Sequence, residues 1–218
     1  MIIDNLRNLV VNEELDYVML SSLLAEYSNP RDKISRLLKS GDLVRIKKGI
    51  YVFGPGAARG PYSVETLANM IYGPSVISLE YALAWHGMIP EKVAVIQSVT
   101  TSRNRVFSTP AGRFSYSYQH SDLFPEGCDL IAIDSTHHCL MATREKALVD
   151  RLTLNGAVPN ISSVYEMHEF LVENLRIEEA DIRSLHRVRL RRLESLHRQD
   201  IVTYLRKTVE QCKETAHA

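Results

Sequence analysis

The residues best suited to chemistry in this sequence are seven basic side chains between residues 30 and 53. They are Arg31, Lys33, Arg36, Lys39, Arg45, Lys47 and Lys48, and only two acidic residues accompany them. Cations of this kind neutralise phosphates, and Arg and Lys also reach guanine edges in the major groove. The complete chain of 218 residues carries 26 basic and 26 acidic residues. The cluster therefore predicts a local contact with nucleic acid in a protein that is neutral overall.

The first four of these cations lie on a predicted helix from about Pro30 to Ser40. Pro30 suits the first helical turn, and Gly41 suits the left-handed conformation that ends a helix. One side of this helix is apolar, with Ile34, Leu37 and Leu38. The opposite side carries Asp32, Ser35, Arg36 and Lys39, with Lys33 on its flank and Arg31 at its start. We expect this polar side to enter the major groove of duplex DNA, as a recognition helix does.

A β-hairpin is predicted directly after this helix, and it carries the other three cations. Residues 43–46 and 50–53 are rich in β-branched and aromatic residues, and Gly49 between them can adopt a positive φ. Arg45 and Lys47 are expected to share one face of the hairpin, and Lys48 is expected at its tip. These positions suit phosphates beside the groove.

Two further helices are predicted before the basic helix. Apolar residues recur at helical spacing over residues 3–15, and Ser21 and Ser22 can cap a short helix at residues 23–27. Three helices followed by a hairpin are typical of a winged helix-turn-helix. We therefore predict a DNA-binding domain of this type over residues 1–56, followed by a linker rich in Gly and Pro.

The rest of the chain, residues 61–218, is predicted to form a second domain of mixed α+β class with a helical C-terminal part. Its predicted elements are helices at 64–72 and 79–86, strands at 76–78, 93–100, 130–133 and 138–141, and a hairpin turn at 109–112. Thr143 is expected to cap a helix that continues through Thr153, and helices dominate from Ser162 onwards. The predicted fold class of the whole chain is α+β.

Composition and segment lengths favour a soluble cytoplasmic protein without a membrane partner. The first residues lack the basic and apolar regions of a secretory signal, and the longest apolar-leaning stretch, residues 66–79, is too short to span a bilayer. Three widely spaced cysteines fit reduced thiols better than a disulfide framework. Neither a GxxxxGK nor a GxGxxG motif is found, and no cofactor is predicted.

Four segments of the sequence, taken in order, resemble AbiEi-type antitoxins. These proteins are the transcriptional regulators of type IV toxin–antitoxin systems, which act in abortive infection and phage defence. The segments are ISRLLKSGDLVRIKKGIYVF, VISLEYALAWHGMIP, VTTSRNRVFSTPAGRFSYSYQH and MATREKALVDRL, and the match covers about residues 17–155. Arg144 stands where the family pattern leads us to expect Pro, which removes a rigid helix start but not the helix. The last sixty or so residues are expected to be helical, as in the family, but carry none of its motifs.

This resemblance implies a two-domain, non-enzymatic protein that binds operator DNA of its own operon and represses it. It also implies that the protein counteracts a nucleotidyltransferase-like toxin, without requiring a stable complex between the two. By position, the DNA-contacting helix and wing of the family fall on Arg31, Lys33, Arg36 and Lys39, and then on Arg45, Lys47 and Lys48.

Other residue groups leave two alternative functions open. A metal-dependent nuclease in phage defence would gather Glu145, Lys146, Asp150 and Asp134 around Mg²⁺. Their spacing instead favours an i,i+4 ion pair of Lys146 with Asp150 on a helix. The second alternative is a protein-binding adaptor whose winged helix is vestigial. Metal-ligand residue types also recur at Cys128, His137, His138 and Cys139, but strand and core positions explain them better, so no metal site is predicted.

A second basic segment occupies residues 182–198. If this segment is one unbroken helix, Arg183, Arg187, Arg191 and Arg198 form a ridge on one side, with Glu194 among them. This second candidate basic surface could face DNA backbone, an acidic partner such as the toxin (or that toxin's RNA substrate), or only water.

Overall fold

The computed structural model describes residues 2–154 and 160–215, which fold as a mixture of α-helices and β-sheets. At this level the predicted α+β class is confirmed. One sheet has three strands and the other has six. We call residues 2–53, which contain the three-stranded sheet, the N-terminal unit. We call the described residues from 64 onwards, which contain the six-stranded sheet, the second unit.

The N-terminal unit consists of three helices and three short strands. Its elements are α1 (Ile2–Leu9), β1 (Glu14–Asp16), α2 (Tyr17–Leu23), α3 (Pro30–Ser40), β2 (Leu43–Lys47) and β3 (Ile50–Phe53). Strand β3 lies between β1 and β2 and is antiparallel to both. The helices and the sheet enclose one hydrophobic cluster that includes Leu6, Leu15, Leu20, Ile34, Leu37 and Phe53. This core fixes α3 and the β2–β3 hairpin relative to each other.

The first two helices differ from their predicted positions. Helix α1 ends at Leu9, well before the predicted residue 15, because residues 14–16 pair with β3 as a strand. The predicted helix at residues 23–27 is wrong: α2 spans Tyr17–Leu23, and residues 24–26 form a turn. Asp16, not Ser21 or Ser22, caps α2, since its side chain accepts a hydrogen bond from a backbone N–H of the first turn at 2.7 Å. The pairing of β1 with β3 therefore determines where α1 ends, and the Asp16 cap determines where α2 begins. Apolar periodicity in the sequence indicates neither feature.

The second unit begins with a mixed six-stranded sheet and its flanking helices. The elements are α4 (Val64–Ile71), β4 (Ser75–Ile77), α5 (Leu79–Trp85), β5 (Val95–Thr100), β6 (Arg105–Thr109), β7 (Gly112–Tyr118), β8 (Cys128–Ala132), β9 (His138–Ala142) and α6 (Arg144–Thr153). The strand order is β6-β7-β5-β4-β9-β8, in which the β5–β7 and β4–β9 pairs are parallel. Thr143 caps α6 as predicted, and the predicted elements agree with the observed ones to within about two residues.

The described residues after 160 are mostly helical, as predicted. Helix α7 (Val164–Glu169) continues into a π-helical segment (Phe170–Asn174), and α8 (Glu179–Ser184), α9 (Arg187–His197) and α10 (Asp200–Thr215) follow. Helix α10 packs against α7, α8 and α9 through an apolar stripe that includes Val202, Leu205 and Val209. Within residues 2–154 and 160–215, every helix is too short or too polar to span a bilayer.

The N-terminal unit and the second unit are joined by polar and apolar contacts. The buried carboxylates of Glu13 and Glu14 accept hydrogen bonds from backbone N–H groups of the linker, residues 54–63. Ile46 and Val52, on the β2–β3 hairpin, belong to the hydrophobic core of the second unit. The hairpin is therefore packed on one side by its own unit and on the other by the second unit.

Candidate nucleic-acid interface

Helix α3 presents the polar face that the sequence predicts. Asn29 caps the helix: its side chain accepts a hydrogen bond from the backbone N–H of Asp32 at 3.4 Å and donates one to the Asp32 carboxylate at 2.8 Å. Pro30 occupies the first turn, and Gly41 ends the helix with φ +79°. Ile34 and Leu37 are buried, Leu38 is half-buried, and Arg31, Asp32, Ser35, Arg36 and Lys39 are exposed. The exposed side chains thus project from a helix that is fixed at both ends and packed along one side.

Three of the seven predicted cations are exposed and have no hydrogen-bond, ion-pair or cation–π partner within the described residues. They are Arg36 and Lys39 on α3 and Lys48 at the tip of the hairpin. A cation without an ion-pair partner keeps its positive potential towards solvent, so these three charges are available to an anionic ligand.

Two other cations of α3 contact aromatic side chains of the same unit. Arg31 Nε donates a hydrogen bond to the Tyr17 hydroxyl at 3.0 Å, and this contact lowers the pKa of Tyr17. Lys33 Nζ lies 4.9 Å from the centroid of the Tyr27 ring. Such contacts orient the long side chains without placing an acidic residue beside them. Arg31 and Lys33 therefore keep their charge for a ligand.

The β2–β3 hairpin carries the remaining cations at positions with different surroundings. Gly49, with φ +87°, forms the turn beside Lys48. Arg45 is exposed, with its guanidinium 6.0 Å from the centroid of the Tyr51 ring. An irregularity in the β2–β3 register lies between Arg45 and Lys47. The alternation that predicts a shared face for these two residues is therefore interrupted.

Lys47 contacts the second unit. Its Nζ donates a hydrogen bond to the backbone oxygen of Ile71 at 2.7 Å and lies 4.1 Å from the centroid of the Phe107 ring. Burial in this contact lowers the pKa of Lys47. The sequence predicts a phosphate contact for this side chain, whereas its ammonium group is half-buried between the two units. We therefore leave it out of the surface that the other six cations form.

The second basic segment is not one unbroken helix. It is divided between α8 and α9, and Arg198 has the left-handed conformation at the end of α9, so the condition for a continuous ridge is not met. Arg183 pairs with Glu179 at 3.5 Å, and Arg191 pairs with Glu210 at 3.0 Å. Arg187 is half-buried, and only Arg198 of the four predicted residues is both exposed and without a partner among the described residues.

The predicted pair of Lys146 with Asp150 is formed inside α6. Lys146 Nζ lies 3.3 Å from Asp150 Oδ1, and both side chains are fully buried. Gln119 and Ser78 complete the network: Gln119 accepts from Lys146 at 2.8 Å and donates to Asp150 at 2.6 Å, and Ser78 donates to Asp150 at 2.6 Å. A buried pair with these hydrogen bonds is suited to holding α6 against the sheet.

The other residues of the nuclease alternative have different neighbours. Glu145 accepts a hydrogen bond from the backbone N–H of His186 at 2.7 Å, while Asp134 contacts His137. Within the described residues, Asp134, Glu145 and Asp150 are not grouped at metal-ligand distances, and neither are Cys128 and Cys139 with their neighbouring histidines. Burial raises the pKa of Cys128 to about 11, which is typical of an unreactive thiol.

A contact between the two units that the sequence does not predict involves Glu14 and His137, which are buried, and Asp134, which is about half exposed. His137 Nδ1 lies 2.7 Å from Asp134 Oδ2, and its Nε2 lies 3.2 Å from Glu14 Oε2 without the alignment of a hydrogen bond. Burial lowers the pKa of His137, but the hydrogen bond to Asp134 and the charge of Glu14 outweigh it, so the pKa is raised. Only the i,i+3 spacing of Asp134 and His137 is visible in the sequence.

No protein-family model matches the chain, and no curated protein is significantly similar to it. The resemblance to AbiEi-type antitoxins therefore rests on the four sequence segments alone.

Proposed function

We propose that this chain is a DNA-binding transcriptional repressor that contacts its operator through α3 and the β2–β3 hairpin. The observation that carries the proposal is the set of exposed, unpaired cations Arg36, Lys39 and Lys48 on a capped helix and the hairpin beside it. Duplex DNA is the ligand that suits this surface, because a helix and a nearby loop can reach the major groove and the backbone together.

We further propose that the N-terminal unit is a winged helix-turn-helix domain that ends near residue 56. The turn between α2 and α3, the antiparallel order β1-β3-β2 and the position of the hairpin after α3 support this assignment. In such a domain α3 is the recognition helix, and the hairpin is the wing that lies beside the groove.

The proposed mechanism requires no covalent step. Phosphate contacts from Arg31, Lys33, Arg45 and Lys48 orient the protein, while Ser35, Arg36 and Lys39 contact base edges or phosphates within the groove. Six cations remain on this surface when Lys47 is excluded. If all six meet phosphates, the logarithm of the affinity falls with the logarithm of the salt concentration with a slope of about −5.

The same surface makes a direct binding experiment possible. We would measure fluorescence anisotropy of a labelled duplex from the chain's own promoter region, with a random duplex as competitor. Arg36→Ala and Lys39→Ala should each weaken binding by about tenfold. Lys92→Ala is the matched control, because Lys92 is an exposed cation of the second unit without a partner in the described part of the chain. Unchanged binding in both α3 variants, or equal affinity for random DNA, contradicts the proposal.

We also propose that the chain is the antitoxin of a type IV toxin–antitoxin pair and counteracts a nucleotidyltransferase-like toxin. Support comes from the resemblance to AbiEi-type antitoxins, since three of the four similar segments lie in the second unit. They correspond to the β4–α5 segment, the β6–β7 hairpin and α6.

Co-expression with a nucleotidyltransferase-like toxin encoded beside this gene tests the antitoxin role separately from DNA binding. The full chain should restore growth, and the Arg36→Ala/Lys39→Ala variant should restore it equally well, because neither residue belongs to the second unit. Failure of the full chain to restore growth contradicts the antitoxin role and leaves the DNA-binding result unaffected.

A further inference from the structure

A cleft in the helical part of the second unit lies far along the chain from the basic surface. It encloses about 460 Å³ and is bounded mainly by α7, α8 and α10. Helices α7 and α10 are fixed to each other, because Thr208 on α10 donates a hydrogen bond to the backbone oxygen of Val164 on α7 at 3.2 Å. Lys213 on α10 donates to the backbone oxygen of Leu185, just after α8, at 2.6 Å. The walls of the cleft are therefore held in place by helices.

Three potential metal ligands converge in this cleft. His168 on α7, Glu179 on α8 and Cys212 on α10 each offer one ligand atom, and these atoms all lie within 4.8 Å of one another. His168 Nε2 contacts Glu179 Oε1, so two of the three ligand atoms already touch. Cys212 is half-buried, and the side chains of His168 and Glu179 are 39% and 43% exposed. The group is partly shielded but can be reached from solvent.

We infer that His168, Glu179 and Cys212 form a site for a divalent transition metal of the zinc class. Nitrogen, oxygen and sulfur ligands together suit Zn²⁺ or Co²⁺, whereas Mg²⁺ and Ca²⁺ prefer oxygen ligands alone. In a tetrahedral zinc site neighbouring ligand atoms lie about 3.5 Å apart, as follows from zinc–ligand distances of about 2.0–2.3 Å. Half-exposed side chains can close the remaining gap by small rotations.

Three protein ligands leave the fourth tetrahedral position open towards the cleft. Water or a group from a binding partner can occupy this position, as in sites with three protein ligands. The Cys212 thiol binds as thiolate, so its proton passes to solvent when the metal binds. The metal would then join α7, α8 and α10 to one another.

One neighbouring cation opposes metal binding and makes the inference easier to test. Arg183 lies 3.5 Å from the second oxygen of Glu179 and lines the same cleft. Its guanidinium competes with a metal ion for the carboxylate and repels it. This ion pair is substantially exposed, so it can be broken at small cost.

The experiment uses the full chain, freed of metal with a chelator, and titrates it with Co²⁺ and then with competing Zn²⁺. One Co²⁺ per chain should bind, with the near-ultraviolet absorption of a thiolate-to-cobalt charge transfer, and Zn²⁺ should displace it. Cys212→Ser should abolish this absorption, and His168→Gln should weaken Co²⁺ binding by at least about tenfold. Arg183→Ala should strengthen Co²⁺ binding, a result that a merely structural role for the cluster does not give.

Cys128→Ser is the matched control, since Cys128 is also half-buried but lies outside the group. It should keep the charge-transfer absorption unchanged, and circular dichroism should confirm that every variant is folded. A charge-transfer absorption that survives in Cys212→Ser, or that disappears only in Cys128→Ser, overturns the assignment. Absence of stoichiometric Co²⁺ and Zn²⁺ binding by the folded wild-type chain overturns it as well. None of these outcomes depends on DNA binding.

Discussion

The two basic regions of the chain differ in what surrounds their charges. On α3 and the hairpin, Arg36, Lys39 and Lys48 are exposed, and the described residues offer them no acidic partner. On α8 and α9, most arginines face carboxylates, which except for Glu179 on α8 lie outside these two helices. These pairs are Arg183–Glu179, Arg189–Asp129, Arg189–Glu145, Arg191–Glu210 and Arg192–Glu126. The second region is therefore rich in arginine but largely neutralised by its own surroundings.

This difference shows that the number of basic residues in a segment does not measure its positive potential. The pairing acids of the second region come from distant parts of the chain, at Asp129, Glu126, Glu145 and Glu210. Exposed pairs of this kind contribute little stability each, about 0–1 kcal/mol. They nevertheless cancel the field that would attract a phosphate. The region with fewer partners is the better candidate for binding nucleic acid.

The largest effect on DNA binding is expected when the unpaired cations of α3 are removed. Arg36→Ala/Lys39→Ala should reduce affinity for the promoter duplex by about 100-fold, because two contacts to bases or phosphates are lost together. Fluorescence anisotropy measures this change, and circular dichroism should show an unchanged fold because both side chains are exposed. A loss of less than about threefold would mean that α3 is not the contacting helix.

The Lys47→Ala variant tests whether a cation that contacts the second unit contributes to stability and not to DNA binding. Lys47→Ala should lower the free energy of unfolding by about 1–2 kcal/mol, since it removes the hydrogen bond to Ile71 and the cation–π contact with Phe107. Denaturant unfolding measures this loss. Duplex affinity should stay within about twofold of wild type. Lys48→Ala is the control with the opposite behaviour: weaker binding at unchanged stability.

The buried contact between the units predicts a pH dependence of stability. Because the pKa of His137 is raised from 6.5, its stabilising contribution is complete below pH 6.5 and is lost as the pH rises through the raised value. The hydrogen bond to His137 holds the pKa of Asp134 well below its usual range, so Asp134 affects stability only in acid.

His137→Gln isolates this effect. The difference in unfolding free energy between wild type and variant should be larger at pH 6 than at pH 9, with a slope of at most about 1.4 kcal/mol per pH unit. Urea unfolding at both pH values measures it. The same difference at the two pH values would show that His137 does not change its charge between them.

The smallest effect is predicted for the paired arginines. Arg191→Ala and Arg192→Ala should each change duplex affinity by less than about twofold, because Glu210 and Glu126 already neutralise these side chains. Glu126→Gln sharpens the comparison, since it frees Arg192 and should slightly increase non-specific DNA binding. An affinity loss in Arg191→Ala as large as that of Arg36→Ala would place a second DNA surface on α9.

Much of the fold could be predicted from the sequence because local patterns determine it. The start and end of α3 follow from Asn29, Pro30 and Gly41, and its buried side follows from Ile34 and Leu37. Thr143 likewise marks the start of α6. Strand β1 could not be predicted, because it exists only through pairing with β3, which lies more than thirty residues later along the chain.

The sequence predicts the exposure of the cations on α3 correctly, but it does not predict the surroundings of every cation on the hairpin. Exposure of Arg36 and Lys39 follows from the helical period, since their own helix supplies the core-facing residues. The position of Lys47 depends on Ile71 and Phe107 in the second unit, which no local pattern relates to the hairpin. The neutralised arginines of α9 were unpredictable for the same reason: their partners are distant in the sequence.

The most direct test of the proposed DNA surface is the salt dependence of binding to the chain's own promoter duplex. Wild type should give a log–log slope between about −3.5, if only Arg31, Lys33, Arg45 and Lys48 meet phosphates, and about −5, if all six cations do. Arg36→Ala/Lys39→Ala should reduce the magnitude of the slope by up to about 2, according to how many of the two meet phosphates. Arg191→Ala/Arg192→Ala should leave the slope unchanged. A wild-type slope near zero, or a slope that falls with the α9 variant and not with the α3 variant, would contradict the assignment of DNA binding to α3 and the hairpin.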